Sequence, residues 1–445
     1  MKSLYIFLYK RIAVRSIQIP LLALLLPWGY SWGDLQFDGE MRFRFEYFND
    51  MNEKYYGSTP KTGESEDAYL LTRLRLGVTY QFNEAWTARL SMQDSRILGW
   101  GFDDLDWYNK EFLQEHNPQK DTFELYETYL QYTASYFTVK TGRQKITYGD
   151  GRVFGPGEWK NSGKWVWDAA KVSLKDEDNF LDFFYGGTML HEPDEFSLNH
   201  RHGYYGGGMY GHYAYGKTGA IEPIFAYKEN KTANENYRSL QSCYAGARIY
   251  DTDLYGYFFD MTFLKSFGEY TSLDGTVADI DGIGFHLDGG YYFKPIRTKV
   301  GLGYTYASGN DSATPERETF DAAFGASDFY YGRLNLMSWS NLKDYEIFAI
   351  IEPLPKTNIK LEYHAFYTDE PSDKWLSYTI PSIQSDKYGD EIDIVVAHQY
   401  SSSVQLLAGA GYFKSGDFIE EAGLSNDTIT HEDAFGLFTQ ISYKF

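Results

Sequence analysis

The stretch LLTRLRLGVTYQF, Leu70–Phe82, alternates from Arg73 to its end. Leu74, Leu76, Val78, Tyr80 and Phe82 fall on one face, and Arg73, Arg75, Gly77, Thr79 and Gln81 fall on the other. A period of two is the signature of a strand with two unlike faces. The same pattern precedes it in DGEMRFRFEYF, where Met41, Phe43, Phe45 and Tyr47 alternate with Arg42, Arg44 and Glu46. It follows in AWTARLSMQ, where Trp86, Ala88, Leu90 and Met92 alternate with Thr87, Arg89, Ser91 and Gln93. Three segments thus share an apolar face and an arginine face. Five arginines turned to lipid would each cost about 2–4 kcal/mol at mid-membrane, so in a membrane barrel they must face the lumen.

Composition fits that reading. The 445 residues include 41 Tyr, 32 Phe, 10 Trp and 42 Gly, and the net charge is −21. Mean hydropathy is negative, −0.47. Aromatic girdles, polar lumens and alternating strands are what transmembrane β-barrels require. A chain this acidic is not a nucleic-acid binder. The single cysteine, Cys243, excludes an intrachain disulfide.

The N-terminus reads as a secretory signal. Lys2, Lys10, Arg11 and Arg15 precede the apolar run IQIPLLALLL, and small residues Ser31 and Gly33 follow. The expected division is a signal peptide over 1–33 and a barrel over 34–445. At the other end, AFGLFTQISYKF places Phe435, Leu437, Ile441, Tyr443 and Phe445 on one face and ends on an aromatic. This resembles the signal through which the barrel assembly machinery takes up outer-membrane proteins. A closed barrel has no edge, so this strand must pair with the first, near Phe37–Phe48.

The expected fold is all-β: an antiparallel up-and-down transmembrane barrel of about 18 strands (16–18), with no plug domain, in the bacterial outer membrane. Asn83–Trp86 reads as a short periplasmic turn, and Asp94–Asp121 as a long external loop. DGTVADIDG (274–282) and GDEIDI (389–394) read as acidic external loops that divalent ions and lipopolysaccharide bridge.

One segment breaks the pattern. GRQKITYGDGRVFGPGEWKNSGKWVWDAAKV, Gly142–Val172, concentrates six glycines, two arginines, four lysines and three tryptophans. Its stretch Gly149–Lys164 is too rich in glycine for a strand and reads as a loop that folds inward and narrows the channel. HEPDEFSLNHRH, His191–His202, offers imidazoles and acids but lacks the helical spacing of a metalloprotease, and reads as an external loop. No phosphate loop or dinucleotide fingerprint occurs, so neither a cofactor nor a metal nor catalysis is expected.

The same segment resembles the signature of the alginate-export family of outer-membrane barrels. The matching residues are Gly142-Arg143-Gln144, Tyr148-Gly149-Asp150-Gly151-Arg152, Trp159-Lys160-Asn161 and Trp167-Asp168-Ala169. A second run agrees through Ser308-Gly309, Asp311, Thr319-Phe320-Asp321, Tyr331-Gly332 and Trp339-Ser340-Asn341-Leu342. The resemblance implies an 18-stranded monomeric barrel that passes an anionic polysaccharide or oligosaccharide. Arginine suits such a path because its planar fork pairs with carboxylates and never deprotonates.

Arg42, Arg44, Arg73, Arg75 and Arg89 are therefore candidate pore residues, joined by Arg143, Lys145 and Arg152. Asp150, Trp159, Asn161, Asp168, Asp321, Trp339 and Asn341 are candidate supports. A general or small-solute porin is the alternative function.

Overall fold

The computed structural model describes residues 34–49, 67–100, 120–159, 161–163, 165–192, 196, 198–230, 238–311, 313–325, 330–373, 383–425 and 432–445. The expected signal peptide lies outside these residues, as do positions 101–119 of the first long loop.

Alternation becomes strands in chain order: β1 Asp34–Asn49, β2 Asp67–Gln81, β3 Trp86–Trp100, β4 Asp121–Thr133, β5 Phe137–Lys145, β6 Val166–Asp176, β7 Asn179–Met189, β8 His202–Tyr215, β9 Gly219–Asn230, β10 Ser239–Leu254, β11 Tyr257–Thr271, β12 Val277–Ile280, β13 Ile283–Phe293, β14 Thr298–Ala307, β15 Leu342–Leu354, β16 Thr357–Tyr367, β17 Lys387–Gln399, β18 Val404–Ser415 and β19 Ala434–Lys444. Each pairs antiparallel with its neighbours. β1 meets β19 with Phe43 opposite Ile441, which closes the ring. The last residue is part of the seam: Phe445 and Gly39 exchange backbone hydrogen bonds of 3.1 and 3.0 Å.

The four-residue β12 lies against the far end of β11 while β11 pairs with β13 along the rest of its length. Among the described residues, the barrel proper therefore has eighteen strands and no plug domain.

The two faces separate as expected. Met41, Phe43, Leu76 and Leu90 lie exposed on the outer face, whereas Arg42, Arg44 and Arg73 are buried within. Aromatic pairs mark both rims: Trp86–Tyr132 and Tyr257–Tyr291 at the end holding the termini and short turns, Tyr304–Tyr345 at the other, each with centroids 5.0 Å apart. Such belts sit at the membrane interfaces. Asn83–Trp86 is a tight turn, in which Asn83 Oδ1 accepts from the Ala85 and Trp86 amides.

Three segments differ from the sequence reading. Asp94–Trp100 continues β3 rather than opening a loop, and Asp94 pairs with Arg96 at 2.6 Å on the face opposite Gln93 and Ser95. GDEIDI lies wholly in β17, and DGTVADIDG contains β12. Their acids hid the alternation: in β17, Ile392 and Ile394 face out, while Glu391 and Asp393 are buried inside.

The external connections make the interior. The described residues of 146–165 (loop A) and 308–341 (loop B) fold into the lumen, and a helix, α1 Asp417–Ser425, buries Phe418 and Ile419 nearby. Phe154, Trp167, Phe320, Phe324, Tyr331 and Trp339 are all at most 2 % exposed, so a dry aromatic core sits inside the barrel. Loop B crosses it. Phe324 packs on Gly206 of β8, where an added Cβ would lie 2.9 Å from the ring. Leu334 packs on Gly411 of β18 and Gly436 of β19, half-way round the ring.

Candidate pore constriction

Loop A is seated by arginines that donate to its backbone carbonyls. Arg42 donates to Glu158 O at 2.9 Å, Arg44 to Trp159 O, and Arg73 to Glu158 O and Asn161 O at 3.3 and 3.5 Å. Asn161 returns the contact: its Oδ1 accepts from Arg42 at 3.0 Å, and its amide donates to Thr72 O and Arg96 O. Gln93 and Ser95 bind Ser162 O and Asn161 O. Trp159 lies under the Arg44 guanidinium at 4.4 Å and edge-on to Phe438. β1, β2 and β3 therefore present a wall of donors. A loop folded inward leaves its carbonyls without water, and buried carbonyls need such donors.

Arg42, Arg44 and Arg73 are consequently buried beneath the loop rather than bare to the lumen. Arg44 also pairs with Glu46 at 2.6 Å, and Arg73 with Glu40. Arg89 lies nearer the periplasmic rim, where it forks onto Asp38 at 2.7 and 2.9 Å. Arg143 forks onto Asp168 through two 2.8 Å bonds, and Asp168 also meets His202 at 3.0 Å.

Arg75, Arg73 and Lys145 converge on one group, the Glu158 carboxylate. Their distances are 2.7, 3.3 and 3.4 Å, and Tyr126 donates its hydroxyl at 2.9 Å. The Arg75 guanidinium stacks 3.9 Å over the Tyr126 ring, and Gln93 fixes its other edge at 2.6 Å. Glu158 remains 37 % exposed. Burial would raise its carboxyl, but Arg75, Arg73 and Lys145 outweigh that and hold it well below the ordinary range.

Loop B is held by the opposite chemistry. Glu391 accepts from the Leu334 amide at 2.8 Å, and Asp393 from the Arg333 amide at 3.2 Å. Arg333 pairs with Glu362 at 2.8 Å. β15, β16 and β17 thus form an acidic sector containing Asp344, Glu346, Glu362, Glu391 and Asp393. Asp321 ties the loop to β9 and β10 through Lys228 at 2.8 Å and the Tyr244 hydroxyl at 2.5 Å. Burial raises the Asp321 carboxyl, and Lys228 brings it below its ordinary value. Trp339 donates to Tyr306 O, and Asn341, in a left-handed conformation (φ 46°), caps the Asp369 and Glu370 amides with its side-chain oxygen.

The two loops lock together where the two sequence motifs meet. Phe154 and Phe324 form a parallel bridge, through Gly155 N to Phe324 O at 3.1 Å and Phe324 N to Val153 O at 3.0 Å. Arg152, paired with Asp150 at 3.0 Å, lies 4.5 Å over the Tyr330 ring and 5.3 Å over Tyr331. Burial raises the Asp150 carboxyl, and Arg152 brings it back below its ordinary value. At the crossing, a Cβ on Gly325 would stand 1.7 Å from the Arg152 carbonyl oxygen, so only glycine fits.

Below this junction a cavity of about 520 Å³ opens toward the periplasmic rim. Arg248 and Lys299 line it with Glu222, Asp251, Asp260 and Asp288. Arg248 binds Glu222 at 2.8 Å and forks onto Asp260. Sequence reasoning missed both this vestibule and the acidic sector. The signal was the same alternation: Asp344, Glu346 and Phe348 alternate with Tyr345, Ile347 and Ala349.

The sequence matches the alginate-export family profile over residues 34–430. A search of curated proteins returns no match. Among solved structures, the barrel superposes on OccAB3 of Acinetobacter baumannii with a TM-score of 0.62 at 12 % identity, covering 92 % of this chain and 99 % of that one. OccAB2 of the same organism gives 0.60 at 12 % identity, covering 92 % and 98 %. OpdQ of Pseudomonas aeruginosa gives 0.57 at 12 % identity, covering 92 % and 97 %. At these identities the likeness is one of fold, and the family match carries the assignment: the chain belongs to the alginate-export family and is a channel of the bacterial outer membrane.

Proposed function

We propose that the barrel passes an anionic polysaccharide or oligosaccharide of the uronate class. The carrying observation is the cradle around Glu158. Two guanidinium groups, an ammonium and a phenol hydroxyl converge on a single carboxylate that is still in contact with the lumen. A uronate carboxylate has the same charge and shape, so it can take Glu158's place without leaving the cations unpaired. Exchange of like for like gives weak, reversible sites, which conduction requires. In this reading Arg75 and Lys145 contact the substrate, Arg73 backs them from beneath the loop, which Arg42 and Arg44 also hold, and Arg89, Arg143 and Arg152 extend the positive track. Asp150, Trp159, Asn161, Asp168, Asp321, Trp339 and Asn341 shape it.

The periplasmic vestibule favours a second reading, a small-solute porin, because four acids there face Arg248 and Lys299. Single-channel recording separates the two. Oligouronates should block the open channel, neutral oligosaccharides of equal length should not, and block should weaken at high salt as screening grows. Equal block by both classes would leave the porin reading. The proposal also holds that the mature chain starts near Asp34, is inserted by the barrel assembly machinery through β19, and works as a monomer amid lipopolysaccharide.

A further inference from the structure

Outside the constriction, the fold gathers Asp121 and Glu124 of β4 with His191 of the 190–201 loop. All three are buried, the two acids completely. His191 Nδ1 lies 2.6 Å from Asp121 Oδ2 and 3.2 Å from Glu124 Oε2. Its other nitrogen, Nε2, lies 3.2 Å from the Gly163 carbonyl of loop A. A carbonyl only accepts, so Nε2 carries a hydrogen. In a neutral ring, Nδ1 is then a bare lone pair aimed at two carboxylates. That arrangement is repulsive unless a cation, a proton or a metal ion, lies among the three groups.

Neighbouring groups refine the choice of ligands. Arg143 donates to His200 Nδ1 at 2.7 Å, which leaves the hydrogen of His200 on Nε2, 3.4 Å from Glu124. His200 therefore positions Glu124 and offers no lone pair of its own. Gln93 holds the other Glu124 oxygen at 2.8 Å. Asp121 Oδ1, fully buried, accepts no hydrogen bond among the described residues, so a donor atom is spare. A histidine whose second nitrogen is fixed by a backbone carbonyl, beside oriented carboxylates, has the outer arrangement usual for metal ligands. The other grouping of this kind among the described residues, Glu346, Glu362 and His364, already holds cations, since Lys360 contacts both acids and Arg333 contacts Glu362.

We propose that Asp121, Glu124 and His191 bind a divalent transition-metal ion of the zinc class. Mixed imidazole and carboxylate donors select such an ion over calcium, which takes oxygen donors. Because His191 also holds Gly163, the ion joins β4, the 190–201 loop and loop A, and it fastens the constriction from the outside.

The test uses the intact barrel purified in detergent and titrated with ZnCl2 in a calorimeter. One equivalent should bind, calcium chloride should not compete, and His191→Gln should weaken binding by more than about tenfold. The His364→Gln variant should bind as the wild type does. Absence of saturable zinc binding, or equal binding by an assembled His191→Gln barrel, overturns the proposal. Should that variant fail to assemble, the wild-type barrel decides: zinc and not calcium should raise the temperature at which its compact band is lost on an unboiled gel, and no rise refutes the site.

Discussion

Replacing Glu158 by Gln tests the cradle directly. The substitution keeps the side-chain length and one acceptor oxygen, enough for either Arg75 or Tyr126, which bind different oxygens of Glu158, but removes the charge that Arg75, Arg73 and Lys145 share. Glu158 is 37 % exposed, so each contact is a partly solvated pair of roughly 0.5–1 kcal/mol. Three such pairs, less what the neutral oxygen retains, leave about 1–2 kcal/mol of attraction free for an incoming carboxylate. That corresponds to about a 5- to 30-fold tighter block by oligouronates. The assay is single-channel recording in planar bilayers, with reversal potential under a salt gradient as a second readout. The variant should become more anion-selective, and its gain should shrink at high salt. Assembly is checked by the mobility difference between unboiled and boiled samples. An assembled Glu158→Gln barrel whose oligouronate block is unchanged or weaker would show that the cations serve only to seat the loop.

Three further outcomes follow from the geometry. Arg42→Ala with Arg73→Ala removes donors to Glu158 O and Asn161 O, and loss of a buried hydrogen bond from a charged donor costs about 1.5–3 kcal/mol; the loop should detach and unitary conductance rise while the ring still forms. Gly325→Val drives a side chain into the Arg152 carbonyl, 1.7 Å from the first added carbon, so the two loops should separate, and faster cleavage of loop B by added protease reports it. Acid should act late: the Glu158, Asp150 and Asp321 carboxyls are all depressed, so their contribution is complete above the unfolded values near pH 4 and is lost only as pH falls through the lower folded values. Conductance should therefore hold from pH 8 to pH 5 and rise below about pH 4, and a rise at pH 6 would contradict the assignment.

The ring was legible because alternation is local. Phe43 against Arg42 and Arg44, or Leu74 against Arg73 and Arg75, needs only neighbours in sequence, and pairing Phe43 with Ile441 follows from closure. The inward fold of loop A was legible from its glycines. What those arginines touch was not: Arg42 and Asn161 stand 119 residues apart, and a guanidinium serves a carbonyl as readily as a carboxylate. Acids concealed Glu391 and Asp393 by resembling loop composition, and the buried partners of His191, 67 and 70 residues away, gave no local sign.

Loop B has a mechanical consequence. A wide ring of strands joined edge to edge resists stretching well but flattens into an oval easily, because bending between neighbouring strands is soft. Phe324 on β8 and Leu334 on β18 and β19 grip points across a diameter and belong to one packed core, so that core works as a strut. Flattening along that line must compress a packed aromatic core, and lengthening along it must break the Glu391 and Asp393 bonds to the loop amides. The cross-section then stays fixed under lateral membrane pressure, and thinning the core between its two grips should soften the whole wall rather than one side of it.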